Sequence, residues 1–287
     1  MGQYRDRMER DLQIRGFSPS TQECYLGRMK TFVRYFMRPP DQLTLEDIHT
    51  YQLHLTRERK VSWAVFNQAV AALRFFYGVT LEQDWEIRRI PYQKTGRKLP
   101  VVLSQGEVQA LLQTLKNLKH RALLMTVYAA GLRVSEVVHL RVRDIDSGRQ
   151  MLRIDQGKER QDRYVMLSEK LLVVLRQYWR SLRPWPWLFP GQIPGRPLTP
   201  SSAQRVFYQA RDAARITKNV SVHCLRHSFA THLLESGVHI RKIQLLLGHK
   251  SLRSTEIYTH VANDYLQHTR SPLDLLPDLS TDPPQPS

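Results

Sequence analysis

Up to residue 90 the apolar positions fall three or four apart, the repeat of helices that bury one face. Tyr4 to Arg15 is a charged helical stretch ended by Gly16. Ser18-Pro19-Ser20-Thr21 marks a helix start, because proline is tolerated in a first turn. Tyr25, Met29, Phe32, Val33 and Phe36 then line one face until Pro39-Pro40 stops the helix. Thr44-Leu45-Glu46-Asp47 has the form of a capping box and opens a third helix. Ser62 caps a fourth, with Phe66, Val70, Leu73 and Tyr77 along one side and Gly78 as its end. No strand-like alternation occurs in this stretch.

Residues 91–100 carry two prolines, a glycine and several basic residues, the composition of a linker. The domains expected are therefore 1–90 and 101–270, joined by 91–100 and followed by a tail, 271–287. In the second domain Ser104-Gln105-Gly106-Glu107 is a capping box. A helix over Leu123 to Ala130 ends at Gly131, and Ser135 caps the next short one. Met151 to Ile154 and Arg163 to Leu167 read as strands, with polar residues and Gly157 between them, so a hairpin is expected. Thr199-Pro200 caps a further helix, and two more, around 221–236 and 238–247, close at Gly237 and Gly248. The end from Ser280 is too polar and proline-rich to order. No internal repeat is present. The fold class is mainly α, with a small β-sheet in the second domain.

Composition removes several classes. With 41% hydrophobic and 24% charged residues, the chain is neither disordered nor collagen-like. Its longest apolar runs, such as Leu171 to Leu175, are core-sized and too short to span a membrane. Met1 to Asp6 lead into charge without a signal-peptide apolar region, so a cytoplasmic protein without a membrane partner is expected. Cys24 and Cys224 lie far apart and form no CxxC pair, which suits a reducing compartment. The net charge is +17. Residues 1–99 hold 17 basic and 11 acidic residues, residues 100–270 hold 26 and 12, and the last 17 hold three Asp and no base. The excess therefore lies on folded segments, as binding a nucleic-acid backbone would require.

Four segments of the second domain carry chemistry: Ala130-Gly131-Leu132-Arg133-Val134-Ser135-Glu136; Lys158 in the hairpin turn; His223-Cys224-Leu225-Arg226-His227; and Leu246-Leu247-Gly248-His249, followed by Tyr258-Thr259-His260. Arg133 sits at a helix start that already favours an anion. His223 and Arg226, three apart, share one helix face, while Leu225, Phe229 and Leu233 anchor another. Gly248 stops a helix just before His249 and would expose it, and Tyr258 follows a potential Ser254 cap. Two Arg, a Lys, two His and a Tyr suit phosphodiester chemistry without metal. Arg and His neutralise the equatorial oxygens of the transition state. A tyrosine oxygen attacks and a lysine protonates the leaving oxygen. The histidines His223, His227, His232, His249 and His260 do not follow HExxH or finger spacing, so neither a metal nor another cofactor is expected.

In this order along the chain, these motifs resemble the tyrosine recombinases, the class of phage integrases, Xer-type resolvases and integron integrases. Gly131 to Glu136 resembles that family's first arginine box, His223 to His232 the second, and Leu246 to His249 with Thr255 to His260 the third. The resemblance runs from about Tyr4 to Leu276. It implies that Tyr258 attacks the scissile phosphate to form a 3′-phosphotyrosine, and that Lys158 protonates the departing 5′-hydroxyl. It further implies that Arg133, Arg226 and His249 hold the non-bridging oxygens, that His223 is a base or proton relay, and that Glu136 orients a neighbour. It implies a two-domain clamp around duplex DNA, with Lys94, Arg97 and Lys98 on phosphates. It also implies a tetramer on paired sites, joined by the segment Ala262 to Leu276, with scope for a second recombinase or a DNA-bending protein. Arg215 to Ser221 leaves no room for the helical insertion of integron integrases, which favours an Xer-like or mobile-element integrase. The alternatives are a catalytically idle DNA-binding homologue, a relaxing enzyme like a type IB topoisomerase, and a metal-dependent nuclease.

Overall fold

The computed structural model describes residues 2–83, 89–94, 99–155, 162–259 and 261–262. Its contacts separate into two compact units, Met1–Arg97 and Lys98–Ser287. Lys158, Arg97, Lys98, His260 and the expected docking segment beyond Ala262 lie outside the described residues.

The first unit is built on four helices: α1 (Gly2–Ile14), α2 (Pro19–Phe36), α3 (Leu45–Arg57) and α4 (Trp63–Phe75). The hydroxyls of Ser18, Thr44 and Ser62 each accept the backbone N–H of the residue three further on, so the sequence caps are real. Thr44 and Asp47 close a full capping box. The expected apolar faces meet in one core, where Leu12, Met29, Phe32, Ile48, Val70 and Leu73 are buried. Gly78 does not end the fourth helix. The chain continues from α4 into a π-helical turn, Phe76–Thr80, with Gly78 inside it. That turn buries Phe76 and Tyr77, and the Tyr77 hydroxyl donates to the Pro40 carbonyl at 2.8 Å. Burial of two aromatic side chains outweighs the stop preference of one glycine. Ile90 is buried in the same unit, and Asn67 exchanges two hydrogen bonds with the Gln93 backbone. Lys94 is exposed.

The second unit holds α5 (Gln105–Gln113), α6 (Leu118–Ala130), α7 (Val134–Val138), three short strands, and then α8 (Glu169–Leu182), α9 (Pro200–Ala213), α10 (His223–Glu235) and α11 (Ile240–Leu247). Strands β1 (Ile145–Asp146), β2 (Met151–Ile154) and β3 (Arg163–Met166) form an antiparallel sheet in that order. Ile154 pairs with Arg163 and Leu152 with Val165, so the expected hairpin forms. The two-residue β1 is too short to show a periodicity. The long amphipathic α8 was not among the expected helices. Its Leu171, Leu172, Leu175 and Tyr178 are buried. Leu123, Val127, Leu132, Leu152, Val165 and Leu225 belong to the main core. A smaller cluster gathers Phe229, Leu234, Ile243, Leu247 and Tyr258. No helix among the described residues is long and apolar enough to cross a membrane.

Candidate active site

The site begins where α6 ends. Gly131 adopts φ +61°, a left-handed conformation that costs glycine nothing. A side chain there would also collide, because a Cβ would lie 2.4 Å from Cδ1 of Phe229 on α10. The glycine therefore turns the chain and admits α10 at once. Two residues on, Arg133 is the N-cap of α7, and the Glu136 carboxylate accepts its backbone N–H at 2.8 Å. Ser135 thus lies inside the first turn and caps nothing. The carboxylate three residues after the cap does that work instead.

Glu136 is the centre of a buried charge cluster. Its oxygens accept from Arg133 Nη1 at 2.8 Å and from Arg163 Nη1 and Nη2 at 3.0 and 2.9 Å. Arg226 Nη1 stands 3.6 Å away. Burial alone would raise the Glu136 pKa, but the Arg163 hydrogen bonds and charge, with the Arg133 N–H and the Arg226 charge, hold it at about 2. Arg163 is 9% exposed, because strand alternation turns it, with Val165, toward the core. A charge in that register needs a counter-ion, and Glu136 supplies it.

Arg226 is aimed by two helix ends. Its Nη1 donates to the Gly131 carbonyl at 2.7 Å, just past α6, and its Nη2 to the Leu247 carbonyl at 2.6 Å, the last residue of α11. Arg163 Nε donates to the neighbouring Leu246 carbonyl at 2.8 Å. Helix C-termini leave carbonyls unpaired and carry the negative end of the helix dipole, so a guanidinium satisfies both. Desolvation, then the nearby Arg133 charge, press the Arg226 pKa down to about 10, which still leaves a full cation at neutral pH.

The remaining residues surround this cluster. His223 is exposed, and desolvation on its inner side followed by the Arg226 and Arg133 charges lowers its pKa. His249 follows the left-handed Gly248 but is half-buried rather than exposed, and its Nδ1 hydrogen-bonds Thr255 Oγ1 at 2.9 Å. Burial, then Arg226, Arg133 and Arg163, press its pKa to about 4. Tyr258 ends a single 3-10 turn, Glu256–Tyr258, which Thr255 precedes without side-chain capping, so Ser254 does not cap it. Its ring is 2% exposed, and burial raises its pKa against the opposing pull of Arg226 and Arg133. Its hydroxyl lies 3.1 Å from His227 Nδ1. Burial, then His223 and Arg226, lower the His227 pKa to about 4.

Arg133, Glu136, His223, Arg226, His249 and Tyr258 thus share one electrostatic neighbourhood, whereas Lys94 belongs to the other unit. The sequence assigns no individual role to Arg163, nor to His227, which appears there only inside the His223 to His227 segment. An arginine on the inward register of a strand was the available sign of the first. Helical i, i+4 spacing from His223 was the sign of the second. A cleft of about 880 Å³ opens beside the cluster, lined in part by Arg133, Arg163, Lys242, His249 and Lys250. Among the described residues Asp162 is its one acidic lining residue. The cleft can therefore take an anion of phosphate charge. Among the described residues no three His, Cys, Asp or Glu side chains group as metal ligands.

Comparison with known proteins supplies the context for this geometry. Residues 101–264 match the Phage integrase family, and residues 4–87 match the N-terminal SAM-like domain of phage integrases. The chain is 49% identical over 285 residues to a putative integrase/recombinase, y4qK, of Sinorhizobium fredii, covering 99% of this chain and 92% of that one. It is 33% identical over 237 residues to the tyrosine recombinase XerC of Halalkalibacterium halodurans, covering 76% and 78%. The fold is similar to that of the XerH site-specific recombinase bound to a palindromic difH substrate in a post-cleavage complex. The TM-score is 0.72 at 23% identity, over 86% of this chain and 78% of that one.

Proposed function

We propose, since this chain belongs to the phage integrase family and is a tyrosine recombinase, that Tyr258 is the nucleophile with which it cuts and rejoins duplex DNA at specific sites. The phenolic oxygen attacks the scissile phosphorus, the P–O5′ bond breaks, and a 3′-phosphotyrosine remains. Lys158 protonates the departing 5′ oxygen. Arg133, Arg226 and His249 meet the non-bridging oxygens, where the transition state concentrates charge. His223 handles a proton as base or relay. Glu136 keeps Arg133, Arg163 and Arg226 from repelling one another apart. The phosphotyrosine conserves the bond energy, so a new 5′-hydroxyl can reverse the step without ATP.

The observation that carries this reading is the convergence of Arg133 and Arg226 on one buried carboxylate, with Tyr258 in their field. The wider arrangement follows from the same reading. The two domains clamp a duplex, and Lys94, Arg97 and Lys98 meet its phosphates. Four protomers act on two paired sites. The segment Ala262 to Leu276 docks on a neighbouring protomer through Leu273, Leu275 and Leu276. The outcome is that of an Xer-like or mobile-element integrase working in the cytoplasm.

The test is a trapping assay in EDTA, with nicked duplexes tiled from the DNA that flanks the protein's own gene. An SDS-resistant protein–DNA adduct is expected from the natural protein and none from Tyr258→Phe, with equal binding. Tight binding without an adduct on any duplex would instead mark an idle DNA-binding homologue.

A further inference from the structure

We propose that His227 is a catalytic residue, the group that takes the Tyr258 proton as the phenolic oxygen attacks, with His223 as the next station toward solvent. The inference rests on the reading of Tyr258 as nucleophile. Its ground is geometric. His227 Nδ1 lies 3.1 Å from the Tyr258 oxygen, and the rings are tilted by 48° with centroids 5.8 Å apart. That contact is set by the frame that sets Arg226, because the two residues are consecutive on α10. The backbone positions of His227 and of the Arg226 that would meet the phosphate are thus fixed by one helix. His249 is otherwise committed, since its Nδ1 faces Thr255 Oγ1. His223 stands one turn before His227 on the same helix face and is exposed, so it offers a way out to water. The titratable and charged groups around His227 are His223 and Arg226 on its own helix, His249 just past α11, and Tyr258 in contact from the Glu256–Tyr258 turn. Burial and those neighbours keep the imidazole neutral at pH 7, and in its Nε2–H tautomer the Nδ1 that faces the Tyr258 hydroxyl holds the lone pair that accepts the proton.

The step balances. The Tyr258 O–H bond breaks and its proton passes to Nδ1. The Oη–P bond forms, the P–O5′ bond breaks, and Lys158 gives its proton to O5′. His227 ends as a cation beside the new phosphodiester, and Lys158 ends neutral. In rejoining, the 5′-hydroxyl returns a proton to Lys158 and the leaving phenolate takes its own back from His227.

Single-turnover adduct formation tests this with His227→Ala and His227→Gln, on an ordinary nicked duplex and on one with a 5′-bridging phosphorothiolate. The sulfur leaving group needs no acid, so it isolates the attacking half of the step. Both variants are expected to slow cleavage about 100- to 10,000-fold on both substrates, with DNA affinity unchanged. Added imidazole should speed His227→Ala, where a cavity receives it, and not His227→Gln. Lys158→Ala should recover on the phosphorothiolate alone. A His227→Ala rate equal to the natural protein's overturns the proposal, as does a loss that imidazole leaves untouched, which assigns His227 to packing. Failure of the underlying reading looks different: no adduct from the natural protein on either substrate, or an adduct that survives Tyr258→Phe.

Discussion

Replacing Glu136 by Gln removes one negative charge and leaves three guanidiniums facing one another in the interior. The carboxyl is held at about 2 against an ordinary 4.5, a displacement worth about 3 kcal/mol. Removing one partner of a buried ion pair typically costs about 3–5 kcal/mol, which agrees. The pH dependence follows from the direction. A depressed carboxylate stabilises the fold fully above its unfolded value, and that contribution fades as pH falls from 4.5 toward 2. The deficit of Glu136→Gln should thus be about 3 kcal/mol at pH 7 and only about 1 kcal/mol at pH 3. Peptide-resolved hydrogen exchange separates the two units. Amides of α6 and α10 should exchange about 100-fold faster at pH 7, while α2 and α4 stay unchanged. A Glu136→Gln protein as protected as the natural one at pH 7 would refute the reasoning. So would a deficit that does not shrink in acid.

Gly131→Ala should destabilise by about 2–5 kcal/mol, from its left-handed backbone and from forcing Phe229 away. Gly237→Ala, at φ +82° but with nothing within 4 Å, should cost only about 1–2 kcal/mol, and equal losses in urea unfolding would show that the Phe229 contact is slack. His227 and His249 are held near 4 against an ordinary 6.5, so the unfolded chain binds protons that the folded one refuses. Stability should therefore fall between pH 6.5 and 4, before the Glu136 contribution fades, and a melting temperature flat across that window contradicts the burial of both rings. DNA affinity should drop about 1,000-fold or more between 50 and 200 mM salt if six or more phosphates are neutralised. A flat response in a binding titration would deny the basic surface that role.

Much of the scaffold was legible because it is written locally. Ser18, Thr44, Ser62 and Ser104 announce helix starts through hydrogen bonds within three residues. Gly131 and Gly248 announce ends through a backbone conformation that few other residues tolerate. Gly78 misled because the burial of Phe76 and Tyr77, a tertiary effect, decides that turn. Ser135 misled because the local rule was satisfied by a better acceptor, Glu136, one residue on. In the site, Arg133, His223, Arg226, His249 and Tyr258 stood out by motif. Arg163 did not, because its meaning depends on Glu136, 27 residues earlier in the chain. The His227 contact crosses 31 residues to a turn with no periodicity to predict. Half-burial of His249 likewise comes from packing and its bond to Thr255, which the stop at Gly248 does not reveal.

The central claim is that the Tyr258 oxygen becomes covalently joined to DNA. Protease digestion of the trapped adduct, followed by mass spectrometry of the nucleotide-bearing peptide and mapping of the DNA ends, measures this directly. The expected product is a phosphodiester between residue 258 and a 3′-phosphate, with a free 5′-hydroxyl on the other end. Attachment through another residue, or cleavage that leaves no protein on either end, would contradict it.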